Sequence, residues 1–309
     1  MRSALQYRHT GMLYLLLTLL LFNSCVGFSH NMNKSEGYKT PSIEQIIIPL
    51  AGRQSSNIVL IDAQGGPAPL LLSDMTKMIY RKYVRINLRK VFLVTVHQTQ
   101  TLYSKLFQRI PITFEMAKYY DMKTTRMLKD AVVYFKAKGK KVYVIGISFG
   151  AFVVEQMLAS YGNIADGYVL IVGRLNMPDE VWKAFAEGEF KGFQDGTTVI
   201  DLDGAQQAGM GGDGAPEVLV RNMAKLAAGF GYHRYIRLLK DIDLSNVVYV
   251  YGKQDEQVGA LTKQEIDFLT MKNVTILTSK NRHEETAMQY ARDALINILG
   301  KEKELFLSP

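Results

Sequence analysis

The chain has 309 residues, 48% of them hydrophobic, and carries 37 Lys and Arg against 29 Asp and Glu, a net charge of +8. A single cysteine excludes an internal disulfide, so stability must come from a buried core, which a chain of this length can build. The basic excess is moderate and comes without an aromatic and basic binding motif, so no nucleic-acid partner is predicted.

The first 25 residues have the pattern of an export signal. Arg2 and Arg8 precede an apolar run over residues 12–22, which has the length of a signal-peptide core and is short for a membrane span. Cys25 comes soon after this run and resembles the lipidated cysteine of a bacterial lipoprotein processing site. We therefore expect export to the cell envelope or periplasm with a membrane anchor at lipidated Cys25. Plain secretion and an uncleaved anchor are the alternatives.

Residues 26–42 are rich in Ser, Asn, Lys and Gly and contain too few apolar side chains to fold, which predicts a tether. From 43 to 309, β-type runs alternate with mostly helical stretches, which predicts one α/β domain with a doubly wound, mostly parallel sheet. The strands are continuous apolar runs, as expected for burial on both faces. The predicted strands are Gln45–Leu50, Asn57–Ile61, Val91–Val96, Val142–Ile145, Gly167–Val172, Val247–Tyr251 and Val274–Leu277.

A Gly-x-Ser-x-Gly motif occupies residues 146–150, with Ser148 at its centre. The strand-like run at 142–145 precedes it and the helix-like run at 151–157 follows it. This context predicts a sharp strand-to-helix turn that exposes the Ser148 hydroxyl at the sheet edge. Glycine is needed two residues to either side because such a turn leaves no room for a Cβ. A tight turn with an idle serine is the alternative.

With this turn the chain resembles the α/β-hydrolase family. The resemblance implies that the serine is followed along the chain by a carboxylate and then a histidine, each on a loop after a strand. Asp255, after the run at 247–251, matches the acid, and the adjacent Glu256 is the alternative. His283, after the run at 274–277, matches the base, and of the five histidines it alone fits this order. A structural histidine with satisfied hydrogen bonds is the alternative.

In such a triad the imidazole takes the proton of the serine hydroxyl, and the carboxylate fixes the imidazole tautomer and stabilises its positive charge. The resemblance also implies two backbone donors for the oxyanion. One is the N–H of Phe149, and we prefer Gly66 for the other, because Pro67 has no N–H. Gln64 stands where the family commonly has histidine. An ordinary strand-to-helix turn is the alternative for this loop.

The segment 176–244 interrupts the alternation, and in the family such an insertion often caps the active site. Its predicted elements are the helix Pro178–Phe185, the strand Thr197–Leu202, the loop Ala208–Gly214 and the helix Glu217–Ala228. Five aromatic residues in this segment would either favour an apolar or aromatic acyl group or pack the core of the segment itself. They are Trp182, Phe185, Phe190, Phe193 and Phe230.

Two other motifs predict neither a cofactor nor a metal. The spacing Gly209-x-Gly211-x-x-Gly214 matches a dinucleotide site, but the required carboxylate does not follow about twenty residues later. The sequence from His283 to Ala287 begins like a zinc-protease helix, but Ala287 takes the position of the second ligand.

Lys77, Arg81, Arg85 and Arg89 recur every four residues, which predicts a basic face on one helix. A solvated face is one interpretation, and contact with anionic lipid or an envelope polymer is the other.

Together these patterns predict an exported, lipid-anchored serine hydrolase that cleaves an ester, thioester or amide through an acyl-enzyme. Its substrate would be a small-molecule or lipid-like acyl compound. The alternative is a non-catalytic protein of hydrolase-like fold that binds or scaffolds other molecules in the envelope, because a fold does not by itself fix a function.

Overall fold

The computed structural model of the chain describes residues 41–212, 214–300 and 305–306. The predicted export signal over 1–25, including Cys25, and residues 26–40 of the predicted tether lie outside these ranges. Within the described ranges, no helix combines the length and the apolar character needed to cross a membrane.

Strands and helices alternate along most of the described chain. The strands are β1 (Ile47–Gly52), β2 (Ile58–Ala63), β3 (Val91–Val96), β4 (Lys141–Ile147), β5 (Gly167–Ile171), β6 (Lys191–Gln194), β7 (Thr198–Asp201), β8 (Val247–Gly252) and β9 (Thr275–Ser279). The α-helices are α1 (Ile43–Ile46), α2 (Ser73–Met78), α3 (Thr99–Leu102), α4 (Ser104–Arg109), α5 (Phe114–Ala137), α6 (Phe149–Tyr161), α7 (Asp179–Glu187), α8 (Gly204–Gly209), α9 (Glu217–Gly231), α10 (Tyr235–Leu238), α11 (Lys263–Met271) and α12 (His283–Leu299).

Seven of these strands form the main sheet, in the order β1-β3-β2-β4-β5-β8-β9. Every neighbouring pair in this sheet is parallel except β1 with β3. All residues of β2, β3 and β8 are buried, because helices cover both faces. The predicted doubly wound, mostly parallel sheet is confirmed, and the carboxyl ends of its parallel strands share one edge.

The edge strand β1 departs from the parallel pattern. It starts later than the predicted run at 45–50, because Ile43–Ile46 forms a short helix, and it pairs antiparallel with β3. Its register shifts between Pro49 and Ala51. Proline cannot donate to a strand ladder, so an edge position with an irregular register suits it.

The predicted basic helical face does not form. The α-helix α2 continues as a π-helical segment at Ile79–Val84, and this segment ends at Arg85, which is left-handed with φ 56°. Arg89 lies in the turn beyond it. The prediction was wrong because a four-residue spacing places side chains on one face only while an α-helix continues.

The segment 176–244 leaves the main sheet after β5 and returns before β8. It contains α7 to α10 and a separate antiparallel hairpin of β6 and β7. The predicted helices and the strand β7 are confirmed, whereas β6 and α8 are not predicted by the sequence patterns. The glycine motif begins at Gly209, the last residue of α8, so the predicted loop Ala208–Gly214 starts within a helix and the motif does not follow a strand as a dinucleotide site requires.

Helix α9 joins this segment to the rest of the fold by packing against α5, and within the segment it packs against α7. Its Phe230 meets Phe149 of the helix α6 edge to face, with ring centroids 5.3 Å apart. Phe185, Phe190, Phe193 and Phe230 are all buried. Phe185 and Phe190 pack against each other within the segment, with ring centroids 5.1 Å apart, whereas Phe230 packs against the main domain and Trp182 is only partly buried. The second of the two sequence interpretations therefore holds for Phe185 and Phe190.

Candidate active site

Ser148 lies in a sharp turn between β4 and α6. Its backbone has φ 54° and ψ −121°, a conformation that residues with a Cβ rarely adopt, and its N–H donates to the carbonyl of Ile171 at 2.8 Å. Strained backbone of this kind persists only when the surrounding structure holds it, and it is common at functional sites. The strand-turn-helix context predicted for the serine is thus present.

The glycines on either side of the serine are required by close packing. A Cβ at Gly150 would lie 1.7 Å from the carbonyl oxygen of Ala63, at the end of β2. A Cβ at Gly146 would lie 2.4 Å from the carbonyl oxygen of Gly150. The turn therefore lies directly against the carboxyl end of the neighbouring strand, which leaves no room for larger residues.

Asp255, in the loop after β8, and His283, the first residue of α12 after the loop that follows β9, form a buried pair. Oδ2 of Asp255 lies 2.8 Å from Nδ1 of His283, and the two side chains are 1% and 6% exposed. The other oxygen, Oδ1, accepts the N–H groups of Gln257 and Val258, each at 2.9 Å. These bonds hold the carboxylate in one orientation, and one oxygen faces the imidazole.

The adjacent Glu256 does not contact the imidazole ring. Its carboxylate accepts the backbone N–H of His283 at 3.2 Å and pairs with the guanidinium of Arg282 at 3.3 Å. Of the two carboxylates considered from the sequence, Asp255 is therefore the one positioned to fix the histidine tautomer.

Electrostatics favour a protonated imidazole at His283. Burial alone would lower its pKa, but the carboxylate of Asp255, with smaller contributions from Glu256 and Glu284, more than offsets this. The pKa of His283 therefore lies above its ordinary value of 6.5. A raised pKa makes the neutral form of an imidazole a stronger proton acceptor.

Sheet topology brings Ser148 to the same edge as the acid–base pair. The strands β4, β5, β8 and β9 run parallel and adjacent, so the loops after β4, β8 and β9 share the carboxyl edge. The side chain of Ser148 is half-buried and makes no hydrogen bond to another residue in the described ranges. The structure thus joins Asp255 to His283 directly and places the serine on their edge of the sheet.

The loop after β2 lies beside the turn. A Cβ at Gly65 would approach the carbonyl oxygen of Ile147 to 2.9 Å, and Gly66 follows directly. Phe149 is the first residue of α6, so its N–H has no acceptor in a preceding helical turn. Both predicted oxyanion donors therefore lie on segments that adjoin Ser148.

Gln64 has a structural role that sequence reasoning missed. Its buried amide donates to the carbonyl of Leu70 at 2.6 Å and accepts the N–H of Leu72 at 2.8 Å. Gln98 in turn donates to the backbone carbonyl of Gln64 at 2.6 Å. The glutamine in place of the family's histidine thus ties together the ends of the loop that carries Gly66.

A cavity of about 490 Å³ lies in the segment 176–244, away from these residues. None of Ser148, Asp255 and His283 lines it. Its walls come from the end of α7, the hairpin β6–β7, α8 and the start of α9, and include Phe190, Leu202 and Val220. Among the described residues, no cluster of three or more His, Cys, Asp or Glu could hold a metal ion.

No family model matches the chain, and no curated protein matches it. Solved structures do match the chain. MGS-M2, an alpha/beta hydrolase enzyme from a Medee basin deep-sea metagenome library, is 13% identical with a TM-score of 0.50, over 83% of this chain and 93% of that chain. The structure reported for LipS and LipT, two metagenome-derived lipolytic enzymes, is 13% identical with a TM-score of 0.51, over 84% and 97%. At this identity the likeness concerns the fold, and together with the sheet order and the turn at Ser148 it shows that the chain has an α/β-hydrolase fold.

Proposed function

We propose that the chain is a serine hydrolase that cleaves an ester, thioester or amide through an acyl-enzyme, with Ser148 as nucleophile, His283 as base and Asp255 as acid. The observation that carries this proposal is the 2.8 Å contact between Asp255 and His283, on the sheet edge that also holds the strained serine. The fold of lipolytic and other hydrolytic enzymes supports it without selecting a substrate.

In the proposed mechanism, Asp255 accepts a hydrogen bond from Nδ1–H of His283 and stays ionised, so the Nε2 lone pair is free to take the proton of the Ser148 hydroxyl. The serine oxygen attacks the substrate carbonyl, and His283 then protonates the leaving group. Water, deprotonated by the same imidazole, then attacks the acyl carbon, the ester bond to Ser148 breaks, and His283 returns the proton to the serine oxygen. The hydroxyl must reach Nε2 in the substrate complex, and catalytic hydrogen bonds often become short only there.

The oxyanion of the tetrahedral intermediate would be held by the N–H groups of Phe149 and Gly66. Each preorganised donor of this kind contributes about 10² to 10³-fold to a rate. Gln64 supports this role indirectly, because its two side-chain hydrogen bonds restrain the loop that presents Gly66.

A fluorophosphonate probe tests the proposal, because only an activated serine becomes labelled. We expect the wild-type protein to label and Ser148→Ala to remain unlabelled. Ser160→Ala is the matched control, since Ser160 lies on the same helix α6 and should label like the wild type. Wild-type protein that folds but never labels would contradict the proposal.

The rival function, a non-catalytic envelope protein that binds or scaffolds, is favoured by one observation: the 490 Å³ cavity is not lined by Ser148, Asp255 or His283. A panel of short and long p-nitrophenyl esters, thioesters and aminoacyl amides separates the two functions. Turnover that is lost in Ser148→Ala supports the hydrolase and identifies the acyl length and bond type. Inactivity on every substrate, together with failure to label, supports the rival.

A further inference from the structure

We propose that Arg174 is a positioning residue. From a buried ion pair with Glu265 it holds the acid loop, residues 253–260, in the conformation that presents Asp255 to His283. This inference rests on the proposed serine hydrolase function and adds to it a residue outside the triad.

Arg174 lies just beyond β5 and is buried, with 7% of its side chain exposed. Its Nη1 donates to the carbonyl of Val258 at 3.2 Å, and its Nε donates to the carbonyl of Asn176 at 3.2 Å. The N–H of Val258 donates in turn to Asp255 at 2.9 Å. One residue of the acid loop therefore binds the guanidinium through its carbonyl and the catalytic carboxylate through its amide.

The guanidinium also packs closely against the loop and the hairpin β6–β7. Gly259 has φ +78°, and a Cβ there would lie only 2.4 Å from Nη1 of Arg174. The guanidinium carbon lies 5.3 Å from the ring centroid of Phe193. The N–H of Phe193 donates to the carbonyl of Glu256 at 2.9 Å. Arg174 is thus enclosed by the acid loop on one side and by the segment 176–244 on the other.

Glu265 supplies the opposite charge and is saturated with hydrogen bonds. Its Oε1 lies 3.8 Å from Nε of Arg174 and accepts the N–H of Asn176 at 2.8 Å. Its Oε2 accepts the N–H and the hydroxyl of Thr262 at 2.7 and 2.8 Å. The carboxylate therefore ties the start of α11 to the start of the segment 176–244.

Stability alone is a poor explanation for this pair. A buried ion pair often contributes little net free energy, because desolvation of both charges offsets their attraction. Burial lowers the pKa of Arg174, and the carboxylates of Glu265 and Asp255 oppose that shift, so the guanidinium keeps its charge. Its planar fork holds two carbonyls in fixed directions, which a lysine or an apolar side chain cannot do. The buried pair of Arg174 and Glu265 therefore serves to fix the geometry of the acid loop.

The test compares Arg174→Met, the double variant Arg174→Met with Glu265→Gln, and Lys263→Met. The double variant leaves no unpaired buried charge, and glutamine can keep the capping bonds at the start of α11. Lys263→Met is the control, because it removes an exposed ion pair with Asp267 from the same helix. We measure the fluorophosphonate labelling rate, the unfolding midpoint and the NMR signal of the Nδ1 proton that His283 shares with Asp255.

We expect the folded double variant to label about 100-fold more slowly than the wild type, since a displacement near 1 Å in a catalytic group can cost this much. The Nδ1 proton signal should broaden or disappear in it, and Lys263→Met should match the wild type in both readouts. A double variant that labels at the wild-type rate and keeps the Nδ1 signal overturns the inference, even if its unfolding midpoint falls. If the wild type itself does not label, the proposed function fails, and the Nδ1 signal alone still decides whether Arg174 positions the pair.

Discussion

Nδ1 of His283 lies 2.8 Å from Oδ2 of Asp255, while Oδ1 of the same carboxylate accepts two backbone N–H groups. The carboxylate is therefore oriented by the acid loop before any substrate binds. Because Oδ1 and Oδ2 have different partners, the effect of a substitution at Asp255 on activity depends on which atoms replace these two oxygens.

Asp255→Asn should lower the labelling rate by about 10³ to 10⁴-fold with little change in fold. The asparagine oxygen will take the place of Oδ1, because Gln257 and Val258 both donate there. Its NH₂ group then faces Nδ1 of His283, which must accept and so place its own proton on Nε2, the wrong nitrogen for a base. Glu256→Gln is the control, and equal losses in the two variants would contradict the role given to Asp255.

Labelling of the wild type should depend on pH through His283. The neutral imidazole is the active form, so the rate should fall as the pH drops through a pKa that lies above 6.5. Because this folded-state pKa is raised, the pair stabilises the fold fully below pH 6.5 and loses that contribution as the pH rises through the raised value. NMR titration of the ring checks the sign. In Asp255→Asn the pKa should be lower, and an unchanged value would refute the electrostatic account.

Gly150→Ala should destabilise the protein by about 3 kcal/mol or more, because the added methyl group overlaps the carbonyl of Ala63 and the backbone must move. Gly204→Ala is the matched control: Gly204 is also helical, and a Cβ there meets nothing within 4 Å. Urea unfolding measures both. Equal stability of the two variants would show that the turn at Ser148 is looser than the structure indicates.

Asp62→Asn should raise the free energy of unfolding at pH 8 by about 2 to 4 kcal/mol and change it little near pH 4. Burial raises the pKa of Asp62 to about 7, partly countered by a hydrogen bond from Thr76. Between its ordinary value of 3.8 and about 7 the native state holds a proton that the unfolded chain has lost, so wild-type stability falls as the pH rises. Asp74→Asn is the control, because Asp74 is exposed. A pH-independent gain would argue against this cause.

Cys25 lies outside the described residues, and its lipidation remains a prediction from the sequence. Cells that express the full chain and grow with radiolabelled palmitate should yield a labelled protein, and Cys25→Ser should remove the label. Ser24→Ala tests whether a change at the neighbouring residue also removes the label. Absence of label from the wild type would favour plain secretion or an uncleaved anchor.

Much of the fold follows from local patterns. The run Val91–Val96 was predicted at its observed bounds, because a β-branched and apolar run between polar turns has few other stable conformations. The turn at Ser148 was predicted because the Gly-x-Ser-x-Gly motif at 146–150 stands between a strand-like run and a helix-like run. Asp255 and His283 were predicted from the order of the triad residues in the α/β-hydrolase family. Only the structure shows that their side chains are in contact.

Long-range polar contacts were not predictable in this way. Arg174 and Glu265 are ordinary charged residues in the sequence, and only the packing of α11 against the loop after β5 makes them a pair. Gln64 drew attention as a departure from a motif, but its bonds to Leu70 and Leu72 depend on how the loop closes. The antiparallel direction of β1 is likewise decided by its pairing with β3, which no local pattern encodes.

The cavity in the segment 176–244 has a practical consequence for ligand discovery. A compound found by thermal-shift screening can raise the unfolding midpoint by filling this space while leaving the serine untouched. Hits should therefore be sorted by competition against the fluorophosphonate. Compounds that stabilise the protein without slowing the probe bind away from the serine, and we expect them in this cavity, where Phe190, Leu202 and Val220 lie beside charged residues such as Lys191 and Asp201.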